Sequence, residues 1–198
     1  MSRIRELITA VTVLAAASLG SAPPSAADPN PDPLILSVEE VAAISGYSGL
    51  VADPAQDVRK PAGKHQYDAQ YPADCHAVFD QDVAFAGVGP FHSVTYTGAA
   101  NRSITQAVGI YPSGTDAKVA LKNLADPLLA CSSQNVPNMS FTVQVLDPLT
   151  MALCFSQCST IYRVSGPALI AVDAQRFGDS DRIATTVMQQ MASRAKAL

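Results

Sequence analysis

Residues 140–174 read SFTVQVLDPLTMALCFSQCSTIYRVSGPALIAVDA, and this stretch decides the fold. Four runs rich in β-branched and apolar residues, 140–146, 150–155, 159–165 and 168–174, read as strands. Asp147-Pro148, Gln157-Cys158 and Gly166-Pro167 stand in the gaps between them, with the residue types that make turns. The gaps are too short for the crossover that a parallel pair needs, so each strand must run antiparallel to the next.

Working outward, the segments on either side are helical. Upstream, Ala117, Ala120, Leu121, Leu124, Leu128 and Cys131 recur at helical spacing. They predict a helix over 114–131, capped by Thr115 or Ser113, with Pro127 kinking it or splitting it in two. Downstream, Ile183, Val187, Met191 and Ala195 form one stripe of a helix over 180–196. Asp179 and Asp181 stand at its start, Arg194 and Lys196 at its end, as the helix dipole favours. Further upstream, 92–97 and 103–111 read as two more strands joined by Gly98-Ala99-Ala100-Asn101-Arg102. Ser37-Val38-Glu39-Glu40 is a capping box that opens a helix over 38–45, and Gly46 supplies its left-handed stop. Residues 47–74, broken by Pro54, Pro61, Gly63 and Pro72, predict a long loop. The fold class is α+β: a mostly antiparallel sheet with helices packed on one face.

The N-terminus states a destination. Arg3 and Arg5 precede an apolar run from Leu7 to Leu19, and small residues lead to Ser25-Ala26-Ala27. That order is a secretory signal peptide over residues 1–27, cleaved near Ala27. No Cys precedes Cys75, so a diacyl lipid anchor has no attachment point. Residues 28–36, rich in proline, predict a flexible lead-in, and 37–198 the folded domain. The net charge of −4 carries no basic cluster, which argues against nucleic acid as a partner. The expected location is extracellular or in the cell envelope.

An exported chain with four cysteines, Cys75, Cys131, Cys154 and Cys158, predicts two disulfides. Cys154 ends one strand and Cys158 begins the next, so a bridge there pins the turn. Cys131 ends a helix and is left to meet Cys75. The single C-x-x-x-C spacing is not that of a zinc site, and no metal site is predicted.

This layout resembles the extracellular sensor domain of mycobacterial PknH-type serine/threonine kinases, which also occurs as free-standing exported proteins and lipoproteins. The likeness rests on the SVEEVAAISG helix at 37–46, a long loop ending at Cys75, and a helix running into Cys131. Cys154 and Cys158 among the strands and the C-terminal amphipathic helix complete it, over about residues 34–197. The family's close cysteine pair is usually spaced more widely than this one. The resemblance implies two bridges in sequential order and a sheet-and-helix domain with a broad cleft for an unknown ligand. The chain has no kinase: Lys64 and Asp173 lack the surrounding glycine-rich loop and H-R-D motif.

No catalytic set is readable. Gly46-Tyr47-Ser48-Gly49-Leu50 lacks the last glycine of a nucleophile elbow and follows a helix. His65, His76 and His92 stand in no metal-ligand spacing and read as surface or turn residues. No cofactor and no enzymatic activity are expected. Strand alternation gathers hydroxyls on the face that helices leave bare: Ser93, Thr95, Thr105, Thr142 and Tyr162. Such a face suits a polar, uncharged small molecule or glycan, with Arg163 and Arg176 as candidates for an anionic group and the loop 47–74 as a wall. The alternative is an envelope interaction protein with a protein partner and no small ligand.

Overall fold

The computed structural model describes residues 29–134 and 136–196. The signal peptide expected over 1–27 lies outside them. Eleven elements follow in order: helix α1 (Val38–Ser45), strand β1 (Val51–Ala52), helix α2 (Gln81–Ala84), and strands β2 (Phe91–Gly98) and β3 (Arg102–Ile110). Then come helix α3 (Gly114–Ser133), strands β4 (Thr142–Asp147), β5 (Thr150–Cys154), β6 (Thr160–Ser165) and β7 (Ala168–Gln175), and helix α4 (Ser180–Ala195). A 3-10 segment, Ala73–Val78, precedes α2. The strands form one sheet in the order β1-β2-β3-β7-β6-β5-β4. Every neighbouring pair is antiparallel. The α+β class, the antiparallel sheet and both disulfides, Cys75–Cys131 and Cys154–Cys158, are as the sequence predicts.

Helices cover both faces of the sheet, not one. The reason is in the central strands, which are apolar on both sides. Ile104, Val108, Ile170 and Val172 point to one face, where α1 (Val41) and α4 (Ile183, Val187, Met191) cover them. Met151, Leu153, Val164 and Leu169 point to the other, where α3 (Leu121, Leu124, Leu128) and the segment 75–85 cover them. Each fully buried aliphatic side chain of α4 contributes about 1.5–3 kcal/mol by leaving water.

Local signals behave as expected at the helix ends. Ser37 and Glu40 close the capping box of α1, and Gly46 ends it at φ 66°. Ser113 caps α3 by accepting from the Asp116 amide. Pro127 sits inside α3, which nevertheless runs as a single helix. The carbonyl it leaves without a donor belongs to Asn123, on the exposed side, where water can serve it.

The proline-rich lead-in is held from Asp32 onward. Asp32–Leu34 form a 3-10 turn, and Leu34 and Leu36 are buried. The Leu36 amide donates to Gln106 Oε1 (2.9 Å), and the Leu36 carbonyl accepts from Gln106 Nε2 (3.1 Å) and from the Tyr96 hydroxyl (2.7 Å). Arg194 of α4 donates to the Ile35 carbonyl at 2.8 Å. Two apolar side chains in the core and a polar clamp on the sheet outweigh the extended preference of the prolines.

Candidate functional site

The polar side chains that matter lie on the α3 face, at the end of the sheet that α3 leaves bare. In register across four strands stand Thr95 on β2, Thr105 on β3, Asp173 on β7 and Thr160 on β6. The Thr95 and Thr105 hydroxyl oxygens are 2.9 Å apart. Thr160 Oγ1 and Gln175 Nε2 each donate to Asp173 Oδ1 at 2.7 Å. The next row reads Ser93, Ala107, Ala171 and Tyr162. Two alanines between larger neighbours leave a hollow in the sheet surface.

The segment Ala77–Phe85 roofs that hollow. A cavity of about 220 Å³ results, with Thr105, Thr160, Tyr162, Asp173 and Gln175 on its floor and Phe79, Asp80, Gln81 and Phe85 above. The roof is tethered at two points: Cys75 is bridged to Cys131 of α3, and Gln81 Nε2 donates to Ser93 Oγ at 2.9 Å. The wall expected from 47–74 therefore comes from the segment after it. Residues 51–58 instead pair along the edge of β2.

Among the sequence-predicted residues, Thr105 and Tyr162 line the cavity. Thr95 stands behind Thr105, and Ser93 is buried beneath Gln81. Thr142 and Arg163 do not join them. Thr142 pairs with Cys154 while Val143 pairs with Leu153, so Thr142 points to the opposite face of the edge strand. Arg163 shares that opposite face and is engaged by Thr150 Oγ1 (3.0 Å) and Asp147 (3.6 Å). Arg176 follows β7 and is exposed. His92 is buried on β2 between Asp57 (3.1 Å) and Asp32 (3.0 Å), not at the surface. Asp173, the central acid of the floor, was not among the predicted site residues. Its signal was a lone carboxylate in the otherwise apolar run LIAVDA, on the face that also carries Leu169 and Ala171.

Burial raises the Asp173 carboxyl above its ordinary value, against the opposing effect of the bonds from Thr160 and Gln175. Burial, and then the charge of Asp173, likewise raise the Tyr162 phenol, which stays neutral. A carboxyl raised on folding contributes stability below its unfolded value and loses that contribution as pH rises through its folded value. Asp173→Asn keeps the acceptor oxygen and removes the ionisation. Urea midpoints of the two proteins should therefore diverge in favour of the variant as pH rises above the ordinary carboxylate value of about 4. A difference that does not change with pH, or one that favours the native protein at neutrality, contradicts this.

The described residues thus form an α+β domain of one antiparallel sheet with a roofed polar hollow on one face. The chain belongs to the PknH-like extracellular domain family, whose model matches residues 27–194. Among solved structures it is similar to the extracellular domain of PknH from Mycobacterium tuberculosis, with a TM-score of 0.59 and 14% sequence identity. That match covers 84% of this chain and 95% of the other, and at this identity it is a likeness of fold. No sequence match among curated proteins is significant. No helix among the described residues is long and apolar enough to cross a membrane.

Proposed function

We propose that this chain is an exported, noncatalytic ligand-binding domain of sensor type in the cell envelope, cleaved near Ala27, with its ligand held over Asp173. The observation that carries the reading is the cavity floor, where Thr105, Thr160, Asp173, Gln175 and Tyr162 converge. Hydroxyls, an amide and a carboxylate offer both donors and acceptors. Phe79 and Phe85 in the roof give apolar surface against which a sugar ring can lie. The volume of about 220 Å³ is below the roughly 300–1,000 Å³ of sites for drug-sized molecules. One sugar ring, or the terminal unit of a glycan, is the size of ligand it takes.

Saturation-transfer NMR with a panel of mono- and disaccharides tests this directly. A binder found there should lose about fivefold in affinity with Thr105→Val and again with Tyr162→Phe, the loss of one hydrogen bond each. Binding that neither change alters places the ligand elsewhere. The second reading, a protein partner without a small ligand, draws on the edge strand β4, where Val145 and Leu146 are more than half exposed (64% and 56%). If this second reading holds, charged replacements there should abolish partner capture, and the sugar panel should find no binder in the cavity.

A further inference from the structure

Beside the cavity roof, and sharing Asp80 with it, lies a second polar cluster. Ligand atoms of His65, Asp80 and Asp82 all fall within 4.8 Å of one another. Asp80 is only 2% exposed. Its Oδ1 accepts the amides of Lys64 (2.7 Å) and His65 (3.1 Å). Its Oδ2 is buried, has no hydrogen-bond partner, and faces His65 Nδ1 at 3.8 Å. The imidazole otherwise lies between Asp82 Oδ2, 2.8 Å from Nε2, and Asp68 Oδ2, 3.0 Å from Nδ1. Gly63 permits this crowding: a Cβ there would stand 2.4 Å from Asp82 Oδ1 and 2.5 Å from His65 Nε2.

A protonated imidazole accounts for Asp68 and Asp82. It leaves Asp80 Oδ2 unserved, and a buried carboxylate oxygen without donor or cation is costly. Three carboxylates around one imidazole lack positive charge, and Asp80 is aimed at the place where it belongs.

We propose that His65, Asp80 and Asp82 bind one divalent cation of borderline softness, with Zn²⁺ as the best fit. One nitrogen and two carboxylate oxygens match that cation's preferred donors. Calcium instead takes six to eight oxygens. Ligand atoms around tetrahedral zinc stand about 3.3 Å apart, so rotations of the side chains close the set. His65 and Asp82 are partly exposed, with side chains 48% and 38% accessible, which provides the entry path. The remaining positions on the ion are filled by water or by Asp68. The bound ion fastens the loop at 63–65 to the start of α2, and so fixes the cavity roof through Asp80 and Gln81. This assignment does not depend on what the cavity binds.

Isothermal titration of the purified, oxidised, chelator-stripped protein with ZnCl₂ tests the site, with CaCl₂ and MgCl₂ as separate arms. One Zn²⁺ per chain and a rise in Tm are expected. His65→Gln and Asp82→Asn should each weaken zinc binding at least tenfold (about 1.4 kcal/mol) while leaving the circular dichroism spectrum unchanged. Asp80→Asn is avoided as the sole variant, because Asp80 also holds two backbone amides. Absence of saturable zinc binding, zinc binding indifferent to both substitutions, or tighter binding of Ca²⁺ or Mg²⁺ each overturns the assignment.

Discussion

Replacing Cys75 and Cys131 together by serine should cost this fold roughly 4 kcal/mol, the larger of the two disulfide effects. The bridge joins residues 56 apart in sequence, and a loop that long restrains the unfolded chain strongly. Cys154–Cys158, only four apart, closes a tight turn and by the same loop-entropy reasoning contributes about 2 kcal/mol. Position adds to the difference. Cys75 and Cys131 are buried in the core between the roof segment and α3, so their loss also frees the cavity roof. Chemical denaturation of the two paired-serine variants checks the order. Equal losses, or a greater loss at 154 and 158, would show that loop closure is not what the long bridge supplies. If the cavity binds a sugar as proposed, the same long-bridge variant should bind it more weakly at temperatures where its fold persists, because the roof then loses its covalent tether to α3 and keeps the Gln81–Ser93 hydrogen bond.

Gln106→Ala is the second large effect expected, at about 3 kcal/mol. Gln106 is fully buried on β3, and its amide group meets both the N–H and the C=O of Leu36. Truncation leaves the Leu36 amide without a partner inside the core, while its carbonyl keeps the Tyr96 hydroxyl. It also opens a void next to Leu36. The expected signature is local as well as global: amide exchange at residues 32–37 should accelerate more than at β7. Gln106→Glu makes a useful companion, because it keeps the volume and one acceptor but loses the donor. A variant as stable as the native protein would mean that the lead-in is not anchored through this clamp.

How much was legible varied with the range of the interaction involved. The helix over 38–45 was readable to the residue, because a capping box and a following glycine act within one turn of chain. The four-stranded meander of 140–174 was readable because short gaps leave no choice of strand direction. Both disulfide pairings were readable from that local order and from the family layout. The hydroxyl row on β2 and β3 was readable because alternation along a strand is strict. The same rule misplaced Thr142, since alternation says which residues share a face within a strand but not how one strand's faces align with another's. That alignment is set by pairing register, here Thr142 with Cys154.

The sequence by itself determined the three longer helices and six of the seven strands of the described residues, the antiparallel run of the last four strands, the export signal as an expectation, and the four cysteines available for bridging. These depend on propensities, spacings and turn chemistry that act over a few residues. Only the tertiary structure decided that helices cover both faces, that Asp173 stands between Thr105 and Thr160, that Ala107 and Ala171 hollow the floor, and that His65 meets Asp80 and Asp82. Each of these joins residues distant in the chain, through strand register or through the path of an irregular loop. Neither is encoded locally: register is settled by the burial of whole strand faces, and the loop's path by the disulfide and side chains that receive it.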